Sequence, residues 1–130
     1  MSTPPLKEYL LLSCGQWDID KSPEQIQSAI DGFYAWYDRL IAEGKLKPGR
    51  RLAVEGKRVS RIGVTDGPFA ETKEVIGGYW FIVAASLEEA AAIVAKSPCL
   101  ACGLTYEIRP IDPERGSAYR TTSETPSRAK

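Results

Sequence analysis

The 130-residue sequence contains no histidine. Histidine is the side chain that most often serves as a general base or a transition-metal ligand near neutral pH. Its absence argues against a Ser-His-Asp hydrolase and against a histidine-ligated zinc enzyme. Any acid–base chemistry would have to come from carboxylates, tyrosine, lysine or cysteine, and we expect neither a cofactor nor a metal site.

The sequence also has few cysteines, no net charge and no long apolar run. The odd count of three cysteines is not typical of a secreted disulfide scaffold. The 17 basic and 17 acidic residues cancel, so nucleic acid and anionic membranes are not expected partners. No apolar run approaches the roughly 20 residues that span a bilayer, and the N-terminus lacks the features of a secretion signal. We therefore expect a cytoplasmic protein.

Cys99 and Cys102 have C-x-x-C spacing. A redox pair requires a lowered thiol pKa, typically at a helix N-terminus, whereas this pair follows the predicted end of a helix. A zinc site would need a second pair, which Cys14 alone does not supply. Packing is therefore the favoured interpretation.

Two helices are predicted from their start signals. Ser22-Pro23-Glu24-Gln25 combines an N-cap, a proline at the first helical position and a capping box. Apolar residues then recur at helical spacing up to Gly44, namely Ile26, Ile30, Phe33, Tyr37 and Leu40. Ser86 to Glu89 forms a second capping box, and Ser97-Pro98 ends that helix. The aromatic residues of the first helix are predicted to pack in the core rather than to form a ligand cage.

The remaining apolar segments predict an antiparallel sheet. The predicted strands are Leu6–Ser13, a hairpin over Arg51–Thr65 turning at Gly56, Gly78–Ala85 and Leu104–Ile111. The apolar parity of the hairpin shifts between Val59 and Ile62, which indicates a bulge or an irregular start of the strand. With the hairpin counted as strands two and three, the order is βαββαβ. This predicts an α+β, ferredoxin-like fold with the helices on one face of the sheet.

The other face of that sheet would be apolar, which is uncommon for a soluble monomer. We therefore expect a homodimer with sheets packed face to face. At this length the chain is predicted to be one domain over residues 1–112. Residues 113–130 are rich in Ser, Thr, Arg and Pro and are predicted to be a flexible tail.

The most distinctive stretch is Val64–Glu74, which reads VTDGPFAETKE and is followed by Gly77-Gly78-Tyr79. It resembles the signature of the DGPF-domain proteins within the YCII-related family. Ser97-Pro98 and Glu107–Ile111 resemble that family's helix-ending segment and last strand, and the resemblance runs from about Leu6 to Ile111. It implies a dimeric α/β barrel of ferredoxin-like subunits. It also implies a bacterial protein associated with an extracytoplasmic-function sigma factor.

The sequence departs from the family at one informative position. Relatives in the wider family are thought to use a His–Asp pair, and many carry histidine where this chain has Ser97. That mechanism cannot be transferred to a chain without histidine. Two functions stay open: a lyase or isomerase acting on a small molecule in a dimer cavity, and a non-catalytic accessory protein of a sigma factor.

The candidate catalytic residues are Asp66, Tyr79 and Arg109, as base, orienting group and anion clamp. Turn chemistry is the favoured explanation of Asp66-Gly67-Pro68, because this tripeptide needs no ligand to account for it. Tyr79 and Trp80 must point to opposite sheet faces, and the sequence does not decide which of them faces the helices. The further ligand or loop candidates are Phe69, Glu71, Lys73 and Glu107. Glu107 shares a face with Arg109, and an ion pair between them is the alternative to a ligand site.

Overall fold

The computed structural model describes residues 5–67 and 75–127. Within them, strands pair into a four-stranded antiparallel sheet of order β2-β5-β1-β6 and a separate two-stranded sheet, β3-β4. The strands are β1 (Lys7–Cys14), β2 (Leu46–Arg51), β3 (Lys57–Ser60), β4 (Gly63–Asp66), β5 (Ile76–Ala84) and β6 (Thr105–Pro110). The helices are α1 (Pro23–Ala42) and α2 (Leu87–Val94), with a 3-10 helix at Pro98–Cys102 before β6. The larger sheet and its two helices follow the βαββαβ plan, which confirms the predicted ferredoxin-like α+β fold.

The start of α1 is built as its sequence predicts. The Oγ of Ser22 accepts a hydrogen bond from the Gln25 backbone N–H at 3.1 Å, and the Gln25 side chain accepts one from the Ser22 N–H at 2.8 Å. Gly44 then adopts a positive φ of 76° just beyond the helix, a conformation that glycine adopts without strain. In the part of the chain that is described, neither helix is long and apolar enough to cross a membrane.

The core lies between the helices and one face of the sheet. Trp80 projects into it and is only 5% exposed. Its ring centroid lies 5.5 Å from that of Phe33 and 6.4 Å from that of Tyr37, both on α1. Leu11 and Ile82 on the two inner strands are fully buried. The structure thus assigns Trp80 to the helix side and Tyr79 to the opposite face.

The hairpin prediction was wrong in its boundaries and in its place in the fold. The second sheet strand is Leu46–Arg51, and the hairpin is an additional unit that turns at Arg61 and Ile62 rather than at Gly56. The parity shift between Val59 and Ile62 marks this turn, not a bulge.

Pro48 and Gly49 lie within β2, although both residues usually interrupt strands. They are tolerated because β2 is an edge strand whose pairing with β5 is irregular between Lys47 and Arg50. A Cβ on Gly49 would lie 1.8 Å from the carbonyl oxygen of Tyr79, so the backbones approach too closely there for any side chain.

The face of the sheet away from the helices carries a strip of apolar side chains. Leu10 and Leu12 on β1 lie opposite Phe81 and Tyr79 on β5, and all four are partly buried in the single chain. The rings of Tyr79 and Phe81 meet edge to face, with centroids 6.2 Å apart. We refer to these four residues as the open-face strip.

Candidate functional site

A cavity of about 170 Å³ lies between α1 and the helix side of the sheet. It is lined by aromatic, hydroxyl, thiol and guanidinium groups, from Ser13, Trp17, Ile30, Phe33, Tyr34, Arg51, Trp80, Cys99, Leu104 and Tyr106. A larger cleft of about 490 Å³ adjoins it and shares Ser13, Trp17, Arg51 and Leu104 with it. The cavity therefore has an apolar interior and a more open mouth.

Ser13 reaches this cavity through the alternation of β1. Its side chain follows Tyr9 and Leu11 on the helix side of the strand, and the residue is 5% exposed. Neighbouring Gly78 on β5 leaves room there for the indole of Trp80, since a Cβ on Gly78 would lie 2.9 Å from Trp80 Cη2. Among the described residues the Ser13 hydroxyl has no hydrogen-bond partner. It can therefore donate to, or accept from, a bound molecule.

Arg51 brings a positive charge to the same place. It ends β2, opposite Gly78. A Cβ built on Gly77 would lie 3.8 and 3.9 Å from the two terminal nitrogens of Arg51, and 3.9 Å from Ser13 Oγ. The guanidinium and the hydroxyl thus converge on the space above Gly77. Of the described residues that line the cavity or the cleft, none carries a carboxylate.

A pair of hydroxyl groups borders the inner end of the cavity. Ser97 Oγ and Tyr106 OH share a hydrogen bond of 2.8 Å, and Ser97 Oγ also accepts from the Cys99 N–H at 3.4 Å. Burial raises the pKa of the Tyr106 phenol well above its usual value, so this group is protonated near neutral pH. Ser97 therefore supports a neutral hydroxyl rather than a base.

The two cysteines of the C-x-x-C segment anchor the 3-10 helix to α1. Both are buried, and their thiols lie against backbone carbonyls of α1, Cys99 Sγ at 3.8 Å from Ala29 O and Cys102 Sγ at 3.9 Å from Gln25 O. Burial raises the pKa of the Cys99 thiol, the opposite of what a redox-active cysteine requires. This geometry favours the packing role.

The residues predicted from the sequence lie elsewhere. Asp66 is on the hairpin, in an exposed ion pair with its cross-strand neighbour Lys57. Glu107 and Arg109 form an ion pair of 3.1 Å on β6, opposite Leu12 and Leu10. They thus share the open face of the sheet with Tyr79, while Phe69, Glu71 and Lys73 lie outside the described residues. Asp66, Tyr79, Glu107 and Arg109 are not among the residues that line the cavity.

Ser13, Trp17, Arg51 and Tyr106 were not predicted from the sequence as site residues. A signal existed for Ser13, a polar residue at the inward parity of an otherwise apolar strand. No such signal existed for Arg51, whose position depends on β2 being a sheet strand. Its convergence with Ser13 is set by the strand order.

Comparison with solved structures gives two similar chains. One is 5-chloro-2-hydroxyhydroquinone dehydrochlorinase (TftG) from Burkholderia phenoliruptrix AC1100, in complex with 2,5-dihydroxybenzoquinone. It has 18% identity and a TM-score of 0.43, over 81% of this chain and 93% of that one. The other is the hydroxynitrile lyase from Passiflora edulis, with 13% identity and a TM-score of 0.39, over 88% of this chain and 100% of that one.

Sequence comparison gives a family but no individual relative. No protein of curated function matches the chain significantly. The model of the YCII-related domain matches residues 11–114. This segment includes both helices, every strand from β2 to β6 and all of the cavity lining. Since the match extends over most of the sequence, the chain belongs to the YCII-related domain family.

Proposed function

We propose that this protein binds a small organic molecule in the cavity between α1 and the sheet. The observation that carries the proposal is the Ser13 hydroxyl, which belongs to a 5% exposed residue, lines the cavity and has no partner among the described residues. No buried side-chain nitrogen or oxygen among the described residues lacks a partner, so this hydroxyl is not sealed in the core but faces the open space of the cavity. A ligand there could form a hydrogen bond with it.

The size and walls of the cavity suit a single ring. An apolar cavity of about 150 Å³ is large enough to hold benzene, and this one has about 170 Å³ with an adjoining cleft for substituents. Trp17, Phe33 and Tyr34 supply aromatic surface against which a planar ring can pack. Mostly apolar walls with a few converging polar groups are typical of ligand sites.

The polar groups of the cavity limit the kind of reaction that an enzyme could carry out there. A lyase or isomerase reaction here would rely on neutral hydroxyls and one guanidinium, which stabilise a developing oxyanion rather than abstract a proton. The Asp66, Tyr79 and Arg109 set stays a second candidate site, and Asp66→Asn separates the two. This substitution should leave binding in the cavity unchanged.

We also propose that the protein is a homodimer joined through the open-face strip. Leu10, Leu12, Tyr79 and Phe81 form a contiguous apolar surface there, and a second copy would remove it from water. The cavity lies on the other side of the sheet from this strip, and residues of one chain line it. A cytoplasmic, bacterial protein associated with a sigma factor stays a prediction from the sequence.

Titration with phenol and benzamide, followed by the indole N–H resonances of the three tryptophans, tests the binding proposal. Trp17 and Trp80 line the cavity, so their signals should shift on binding. Trp36 lies in the core and is absent from the lining, so its signal serves as an internal reference. Equal shifts of all three, or none, would contradict the proposal.

Two variants provide a matched control for the same titration. Gly77→Leu places a side chain in the space beside Arg51 and Ser13 and should abolish the shifts. Gly116→Leu adds the same side chain where a Cβ meets nothing within 4 Å, and should leave binding intact. Binding that survives Gly77→Leu would place the ligand elsewhere.

A further inference from the structure

We propose that the ligand is an organic anion whose carboxylate binds Arg51 while its ring lies between the aromatic walls. This inference rests on the proposed function of the cavity and adds the chemical class of the molecule. It assigns Arg51 as the residue that selects charged over neutral ligands.

The first argument is the charge on the walls. Among the residues that the structure describes, Arg51 is the only charged one that lines the cavity or the adjoining cleft. Within the described residues no carboxylate lies in ion-pair distance of its guanidinium. By contrast, Lys47, Lys57 and Arg109 each pair with a neighbouring carboxylate. Among the described residues, the guanidinium of Arg51 thus has no carboxylate partner that would compete with a bound anion.

The second argument is the geometry of the donors. The terminal nitrogens of Arg51 and the Oγ of Ser13 all lie within 3.9 Å of the point where a Cβ on Gly77 would stand. A carboxylate in that space could accept two bonds from the planar guanidinium and a third from the serine hydroxyl. Gly77 keeps the space empty, because any larger residue would occupy it.

The third argument is the direction in which the ring would extend. Arg51 and Ser13 border both the larger cleft and the cavity, whereas Phe33, Tyr34 and Trp80 line only the cavity. A carboxylate held at the boundary would therefore direct its ring inward, against aromatic surface. Tyr106 at the inner end shares a hydrogen bond with Ser97 in which either oxygen can be the donor, so this neutral hydroxyl pair suits a hydroxyl or carbonyl oxygen on that ring.

The test compares benzoate with benzamide, which share ring and shape and differ in charge. Their affinities are measured by calorimetry and by the indole resonances for the wild type and for Arg51→Gln, Arg51→Lys and Arg50→Gln. Arg50 is the matched control. It adjoins Arg51 in sequence, but its cross-strand neighbour in β5 is Tyr79, whose side chain lies on the open face. Amide spectra confirm that each variant is folded.

Benzoate should bind the wild type about tenfold to a hundredfold more tightly than benzamide, as expected for hydrogen bonds to a charged group. Arg51→Gln should remove that preference, so that benzoate and benzamide bind this variant with similar affinity. Arg51→Lys, which keeps the charge but loses the planar fork, should retain part of it. Arg50→Gln should keep the full preference.

The alternative outcomes separate the two proposals. Equal binding of both probes to the wild type, or a benzoate affinity unaffected by Arg51→Gln, would overturn the anion assignment while the cavity stays a binding site. A loss in Arg50→Gln as large as in Arg51→Gln would reduce the effect to overall charge and also overturn it. Failure of both probes to bind would reject the cavity proposal and this inference together.

Discussion

Replacing Trp80 with alanine should remove a large share of the stability of the fold, while the same change at its neighbour Phe81 should remove little from the single chain. Trp80 is 5% exposed and packs against Phe33 and Tyr37. Truncation of a buried tryptophan costs about 3–5 kcal/mol, against a total of about 5–15 kcal/mol for a typical domain. Phe81 is only partly buried, on the opposite face, so its truncation should cost about 1 kcal/mol.

Urea unfolding followed by far-UV circular dichroism measures both changes. Tryptophan fluorescence is unsuitable because one variant removes a reporter. With a typical slope of about 2 kcal/mol per molar urea, the midpoint of Trp80→Ala should fall by about 2 M. Trp80→Phe, which keeps an aromatic ring in the core, should recover most of the loss.

The proposed dimer adds a second way to distinguish the two positions. If Phe81 lies in the dimer interface, the effect of its substitution will depend on protein concentration, because association stabilises the folded state. The effect of Trp80→Ala should persist at every concentration. An equal, concentration-independent loss for both residues would refute the assignment of the two faces of β5.

Two further predictions concern the open face and the cavity. Phe81→Lys should convert the dimer to a folded monomer in sedimentation equilibrium, and a wild type that is already monomeric would contradict the proposed interface. Tyr106 has a raised pKa in the folded state, so its contribution to stability is complete below its unfolded pKa of about 10 and is lost as the pH rises above that value. Above pH 10, the free energy of unfolding should therefore fall less steeply with pH in Tyr106→Phe than in the wild type. Equal slopes in the two proteins would contradict the burial of the phenol.

The elements with local signals were predictable, and those that depend on partners were not. The capping box at Ser22 and the helical spacing after it are local, so α1 was placed within two residues of its observed end. The edge strand β2 was missed because Pro48 and Gly49 disfavour a strand locally. Its pairing with β5 overrides that preference, and pairing partners are not visible in a single sequence.

The candidate site shows the same difference between features with a local sequence signal and features that depend on distant partners. The signature around Asp66 is conspicuous in the sequence, yet Asp66 lies in an exposed ion pair on a separate hairpin. Ser13 and Arg51 are 38 positions apart and have no motif in common. They meet because β5 lies between their strands and carries glycines where they converge.

By itself, the sequence determined the family, the two helices and the alternation that gives β5 one face in the core. Helix caps and side-chain periodicity act within a few residues, so the local sequence determines these features. Only the tertiary structure decided which face Trp80 takes, how β2 joins the sheet and where a cavity remains. Those outcomes follow from strand order and register, which depend on the packing of the whole chain.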